Sequence, residues 1–124
     1  MNKNLRLFVV DDDPFWCAIL TEILNDLGYH NVTSYYNGKD CIDHLHLNPA
    51  VVFLDKQMDG IDGIDALKEI KQYYPGINVI MCTALEDLGV AMEAIKNGSN
   101  EYLLKTNSNK KEVASIMESL GFTQ

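Results

Sequence analysis

Short apolar runs and helix-periodic segments alternate five times along this chain, and that alternation limits the fold more than any other feature. Leu7-Phe-Val-Val10 is continuously apolar, as a strand buried on both faces of a parallel sheet must be. Asp13 and Pro14 then supply an N-cap and a first-turn proline. Trp16, Ile19, Leu20, Ile23, Leu24 and Leu27 recur at helical spacing, and Gly28 ends that helix. Val32 to Tyr36 is a more polar strand. A second helix runs from about Asn37 to Leu47, with Ile42 and Leu45 inward and Pro49 beyond its end. Val51-Val-Phe-Leu54 is the next buried strand. Ile64, Leu67, Ile70 and Tyr74 mark a third helix, stopped by Pro75-Gly76. Ile77 to Cys82 reads as strand, and Leu88, Ala91, Met92 and Ile95 as a helix closing at Asn97-Gly98. Tyr102-Leu-Leu104 is a short strand. The last helix opens with a capping-box pattern, Asn109 and Glu112, ahead of Val113, Ile116, Met117 and Leu120.

Five β-α units with short connections build a parallel sheet with helices on both faces, joined by right-handed crossovers. The 124 residues suit one domain, 1–124, with no internal linker, repeat or output domain in this chain. The first, third and fourth strands are the most apolar and belong in the centre. The second and fifth are short or polar and belong at the edges. The order 2-1-3-4-5 meets both conditions. It is that of the flavodoxin-like (βα)5 three-layer sandwich, an α/β fold.

Composition narrows the function. Lys+Arg is 10 against 18 for Asp+Glu, a net charge of -8, which disfavours direct binding to nucleic acid or anionic membranes. No stretch approaches the roughly 18 apolar residues of a membrane span. The start, Met1-Asn-Lys-Asn-Leu-Arg, does not read as a signal peptide, and a cytoplasmic location is the expectation. Cys17, Cys41 and Cys82 have no C-x-x-C spacing and read as structural thiols. His30, His44 and His46 read as surface or boundary residues.

In open parallel sheets, ligands bind beyond the carboxyl ends of the strands at the switch point, here between the first and third strands. Asp11 and Asp12 follow the first strand, Asp55 the third, Thr83 the fourth and Lys105 the fifth. Two aspartates facing a third repel one another, by roughly 4 kcal/mol per pair at 4 Å and an effective dielectric near 20. A hard divalent cation removes that penalty, and an all-oxygen cluster suits Mg²⁺. An aspartate can also attack phosphorus to form an aspartyl-phosphate, provided that cations and donors neutralise the oxygens. Lys105 offers the positive charge and Thr83 a hydroxyl.

These residues resemble the receiver domains of two-component response regulators. Four segments carry the resemblance: Phe8-Val-Val-Asp-Asp-Asp-Pro14, Val52-Phe-Leu-Asp-Lys-Gln-Met-Asp-Gly-Ile-Asp-Gly63, Val79-Ile-Met-Cys-Thr-Ala84 and Gly98-Ser-Asn-Glu-Tyr-Leu-Leu-Lys105. The resemblance implies that Asp55 is the phosphoacceptor of a signalling switch rather than part of a turnover enzyme. It implies that Asp12, Asp55 and the backbone carbonyl of Gln57 bind Mg²⁺ directly, with Asp11 acting mainly through water. Thr83 would be the switch hydroxyl, Tyr102 the aromatic that changes rotamer with it, and Lys105 the partner of a phosphoryl oxygen. The implied donor is a phosphohistidine on a sensor histidine kinase or a histidine phosphotransfer protein. The output is a downstream protein or a fused output domain, with a homodimer formed on phosphorylation left open.

Two positions depart from the family pattern. Thr106 follows Lys105 where proline is usual, and Asp59 follows Met58 where proline is usual. A cis bond to a non-proline residue costs roughly 2.5–4 kcal/mol. A trans Lys105-Thr106 bond is then the cheaper form, leaving the loop free to carry Lys105 differently. Gln57 and Leu85 stand where the family tunes dephosphorylation. An apolar Leu85 cannot orient water, which implies slow hydrolysis. Three rival readings stay open: a phosphorylation-independent interaction module, an aspartate-nucleophile phosphohydrolase using Asp11-Asp-Asp13, and a flavodoxin-like cofactor binder. The last needs a Ser/Thr/Gly-rich phosphate cradle after the first strand, where this chain has three aspartates.

Overall fold

The computed structural model describes residues 4–58, 60–84 and 88–122. Asp59 and Leu85 lie outside the described residues. The chain alternates β1 (Leu7–Val10), α1 (Pro14–Asp26), β2 (Val32–Tyr35), α2 (Gly38–Asp43), β3 (Val51–Asp55), α3 (Gly63–Tyr73), β4 (Asn78–Thr83), α4 (Leu88–Lys96), β5 (Glu101–Leu104) and α5 (Lys110–Ser119). The five strands form one parallel sheet in the order β2-β1-β3-β4-β5. The apolar strands β1 and β3 are buried along their whole length, and the half-buried β2 and β5 take the edges.

Side-chain alternation along the strands divides the core in two. Leu7, Val9, Val51, Phe53, Ile80, Cys82 and Leu103 pack under α1 and α5. Phe8, Val10, Val52, Leu54, Val79 and Met81 pack under α2, α3 and α4. Each fully buried Leu, Val or Phe contributes about 1.5–3 kcal/mol. The helix starts form as their sequences suggest. Asp13 caps α1 by accepting from the Phe15 N–H at 3.0 Å, and Asn109 caps α5 by accepting from the Glu112 N–H at 2.8 Å.

Three details differ from the sequence reading. The second helix is shorter: α2 ends at Asp43, and a 3-10 turn at Leu45–Leu47 precedes Asn48, whose φ is 58°. On α1, Cys17 is buried while Ile19 is exposed, because the sheet covers a narrower stripe than the apolar residues could fill. On α4, Ala94 is the buried residue, and Met92 and Ile95 face outward, 64% and 52% exposed. The small Ala94 lets the helix lie close to the sheet. The three cysteines are free and buried, and burial raises each thiol pKa, to about 11 for Cys17 and about 12 for Cys41. Among the described residues, no helix is long and apolar enough to cross a membrane.

Candidate functional site

The carboxyl ends of β1, β3, β4 and β5 open into a cleft of about 490 Å³. Asp11, Asp12, Asp55, Gln57, Thr83 and Lys105 all line it. Backbone bonds set the ends of two of these strands. The Asp11 N–H donates to the Tyr35 carbonyl at 3.0 Å, and the Lys56 N–H donates to the Cys82 carbonyl at 3.0 Å. Asp11 and Asp55 therefore continue their strands and stay buried, while Asp12 turns outward and is exposed. One carboxylate oxygen from each of the three lies within 4.8 Å of the others. An all-oxygen set this tight fits a hard divalent cation such as Mg²⁺.

Lys105 answers two of these carboxylates. Its Nζ lies 2.5 Å from Asp11 Oδ2 and 3.1 Å from Asp55 Oδ1. Thr106 does not draw it away: among the described residues there is no cis peptide bond, and a 3-10 turn at Lys105–Asn107 carries the lysine into the cleft. The Ser108 hydroxyl holds that turn by donating to the Lys105 carbonyl at 2.6 Å.

Burial dominates the electrostatics. It raises the Asp55 pKa to about 6, with the Asp11 charge pushing the same way and Lys105 opposing. Burial likewise raises Asp11 above the ordinary carboxylate value. For Lys105, burial works against the charge, but Asp11 and Asp55 outweigh it and hold the ammonium pKa above the usual value. Two buried carboxylates thus share one ammonium, and the site is short of positive charge.

Strand alternation separates the remaining residues. Asp11 and Asp55 are in phase with the side chains facing α1 and α5. Thr83 follows Val79 and Met81 in phase, on the opposite face. Tyr102 pairs with Met81 and packs against that same face, its hydroxyl buried. Thr83 and Tyr102 therefore share one side of the β4–β5 pair, with Leu104 the partner of Thr83 across the ladder.

Sequence reasoning passed over two features of the cleft. Gly63 backs directly onto the phosphoacceptor candidate: a Cβ there would stand 2.2 Å from the Asp55 carbonyl oxygen and 2.7 Å from Lys56 Cα. Its place in a quoted segment was the available signal. Lys56 and Asp62 close the β3–α3 loop with an ion pair of 3.0 Å, and Asp62 also caps α3 by accepting from the Ile64 N–H at 2.7 Å. An i, i+6 pair within a loop leaves no periodic trace.

The family model for the response regulator receiver domain matches residues 7–117. The chain belongs to that family. As a receiver domain it is 33% identical over 101 residues to the chemotaxis protein CheY of Thermotoga maritima, covering 81% of this chain and 84% of that protein. It is 37% identical over 105 residues to the transcriptional regulatory protein ZraR of Escherichia coli K12, covering 84% of this chain but only 24% of ZraR. The receiver domain of DrrB in a BeF3-activated form superposes with a TM-score of 0.84 at 26% identity, over 96% of this chain and 99% of that one. Receiver domains are the signalling switches of two-component systems, and the acidic cluster is of the kind that binds Mg²⁺ in them. Response regulators as a class work with histidine kinases and output domains.

Proposed function

We propose that Asp55 accepts a phosphoryl group from a phosphohistidine donor, a sensor histidine kinase or a histidine phosphotransfer protein, and that the modified site changes which partner the domain binds. The observation that carries this reading is Asp55 itself, a buried carboxylate with an oxygen within 4.8 Å of two others and an ammonium 3.1 Å from its Oδ1.

Asp11, Asp12, Asp55 and the Gln57 carbonyl would hold Mg²⁺, whose charge offsets the repulsion between a carboxylate and an incoming phosphoryl oxygen. An Asp55 carboxylate oxygen forms the new bond to phosphorus as the bond from phosphorus to the donor imidazole nitrogen breaks, and the imidazole leaves with that electron pair. Asp55 must be ionised to do this, and near neutral pH a group with a pKa of about 6 is mostly ionised. Lys105 neutralises one phosphoryl oxygen and the Thr83 hydroxyl donates to another. Phosphorylation adds about two negative charges. Movement of Thr83 toward them acts on Tyr102 through the face that both share, and so on the surface around β5.

We read residues 1–124 as one receiver unit whose output lies in a partner protein or a fused output domain. Its action is a phosphoacceptor cycle, with self-catalysed loss of the phosphoryl group, rather than turnover of an external substrate. The test is transfer from a radiolabelled phosphohistidine protein. Label should pass to the native chain with Mg²⁺ and fail to pass with a chelator or to Asp55→Asn. Labelling of Asp55→Asn at the native rate would refute the assignment.

A further inference from the structure

Trp16 is the one tryptophan of the chain and lies on the first turn of α1. It is 7% exposed, and Lys105 Nζ stands 5.4 Å from the centroid of its ring. Lys105 Nζ thus lies near two carboxylates, Asp11 and Asp55, and over the indole. The first two are also the groups that a cation at the acidic cluster would take. Such a cation competes with the ammonium for their oxygens and repels it. Phosphorylation then converts the Asp55 carboxylate to an acyl phosphate, a mixed anhydride whose phosphoryl oxygens take up the ammonium in turn. The indole face attracts an ammonium through the ring quadrupole and takes part in neither change.

A lysine stem has four rotatable bonds, and an ammonium released by its carboxylates would leave for water. The 3-10 turn, held by Ser108, fixes the Lys105 backbone and leaves the end of the side chain to its own contacts. We propose that Trp16 is a positioning residue for Lys105: its ring keeps the ammonium at the cleft while a cation holds the oxygens of Asp11 and Asp55, ready for the incoming phosphoryl oxygen. The proposal rests on the reading of Asp55 as phosphoacceptor. Trp16 also packs in the core with Leu20 and Leu24, so the double-mutant cycle below separates its contact with Lys105 from its packing.

Two measurements test it. In the first, Trp16 emission is compared between the native chain and Lys105→Met, without metal or phosphoryl donor, and again on adding Mg²⁺. The two emission spectra should differ, and Mg²⁺ should change the native spectrum more than that of Lys105→Met. In the second, the rate of phosphoryl gain from a small phosphoryl donor is followed by intact mass in a double-mutant cycle. Trp16→Leu should slow the native chain about tenfold, in the range of a partly desolvated cation–π contact. In the Lys105→Met background, Trp16→Leu should change the rate less than twofold, as coupled residues require. Trp16→Phe keeps a ring and should slow the native chain only about two- to threefold, which guards against a Trp16→Leu chain that fails to fold. Identical emission from native and Lys105→Met, or slowing by Trp16 substitution that multiplies with Lys105→Met, would overturn the proposal. A native chain that gains no phosphoryl group refutes the reading of Asp55 instead, and the emission comparison then decides on Trp16 by itself.

Discussion

Lys105 reaches Asp55 across an intervening strand: its Nζ lies 3.1 Å from Asp55 Oδ1 although β4 stands between β5 and β3. The same ammonium touches Asp11, the residue that follows β1. One side chain therefore ties together three strands at the rim, against the mutual repulsion of the carboxylates.

The metal-free protein should gain stability from Asp55→Asn. The folded-state pKa of Asp55 is about 6 against an ordinary 3.8, so native stability is fully present below the ordinary value and lost as pH rises through about 6. Asn carries no charge and leaves Asp11 and Lys105 as a one-to-one pair. At pH near 8 with chelator, Asp55→Asn should exceed the native chain by up to about 3 kcal/mol, and the gap should close toward pH 4. Urea unfolding across this range checks it; a gap independent of pH would contradict it.

Lys105→Met should separate metal affinity from phosphoryl transfer. Removing an ammonium that competes for Asp11 and Asp55 should tighten Mg²⁺ binding about five- to tenfold, measured by calorimetric titration at low salt. The rate of phosphoryl gain should fall about 10²- to 10³-fold, as on removal of a transition-state donor.

Gly63→Ala should damage the site from behind. With Asp55 and Lys56 backbone atoms at 2.2–2.8 Å from the added Cβ, neither β3 nor α3 can yield without moving Asp55. Thermal unfolding should show a loss of about 2–3 kcal/mol, accompanied by slower phosphorylation. Gly60, with a φ of 91° and nothing near its missing Cβ, should respond only through backbone strain.

Asn100→Ala should weaken the fold and spare the chemistry. Asn100 Oδ1 accepts from the Val79 N–H at 2.9 Å and from Lys71 Nζ at 2.8 Å, at the end of the sheet remote from the cleft. Leaving that N–H unpaired should destabilise the protein by about 1–3 kcal/mol. The phosphorylation rate below the melting transition should be unchanged.

Much of this was legible in the sequence because it is written locally. Continuous apolar runs gave β1 and β3, short or polar ones gave the edges, and the position of Asp11, Asp55, Thr83 and Lys105 at or just past strand ends follows from the fold rule alone. What was hidden is what depends on distance in the chain. The ring of Trp16 beneath Lys105 joins residues at opposite ends of the sequence. The outward turn of Met92 and Ile95 reflects a choice of Ala94 as the close-packing residue, and helical periodicity permits either face. The sharing of one ammonium by two buried carboxylates needed side-chain directions that no spacing encodes.

The most direct test of Asp55 as phosphoacceptor is the intact mass of the chain after incubation with a small phosphoryl donor, with and without Mg²⁺. The native chain should gain one phosphoryl unit, about 80 Da, only with the metal, and Asp55→Asn should gain none. A native chain that gains no mass, or a gain that survives Asp55→Asn, would contradict the account.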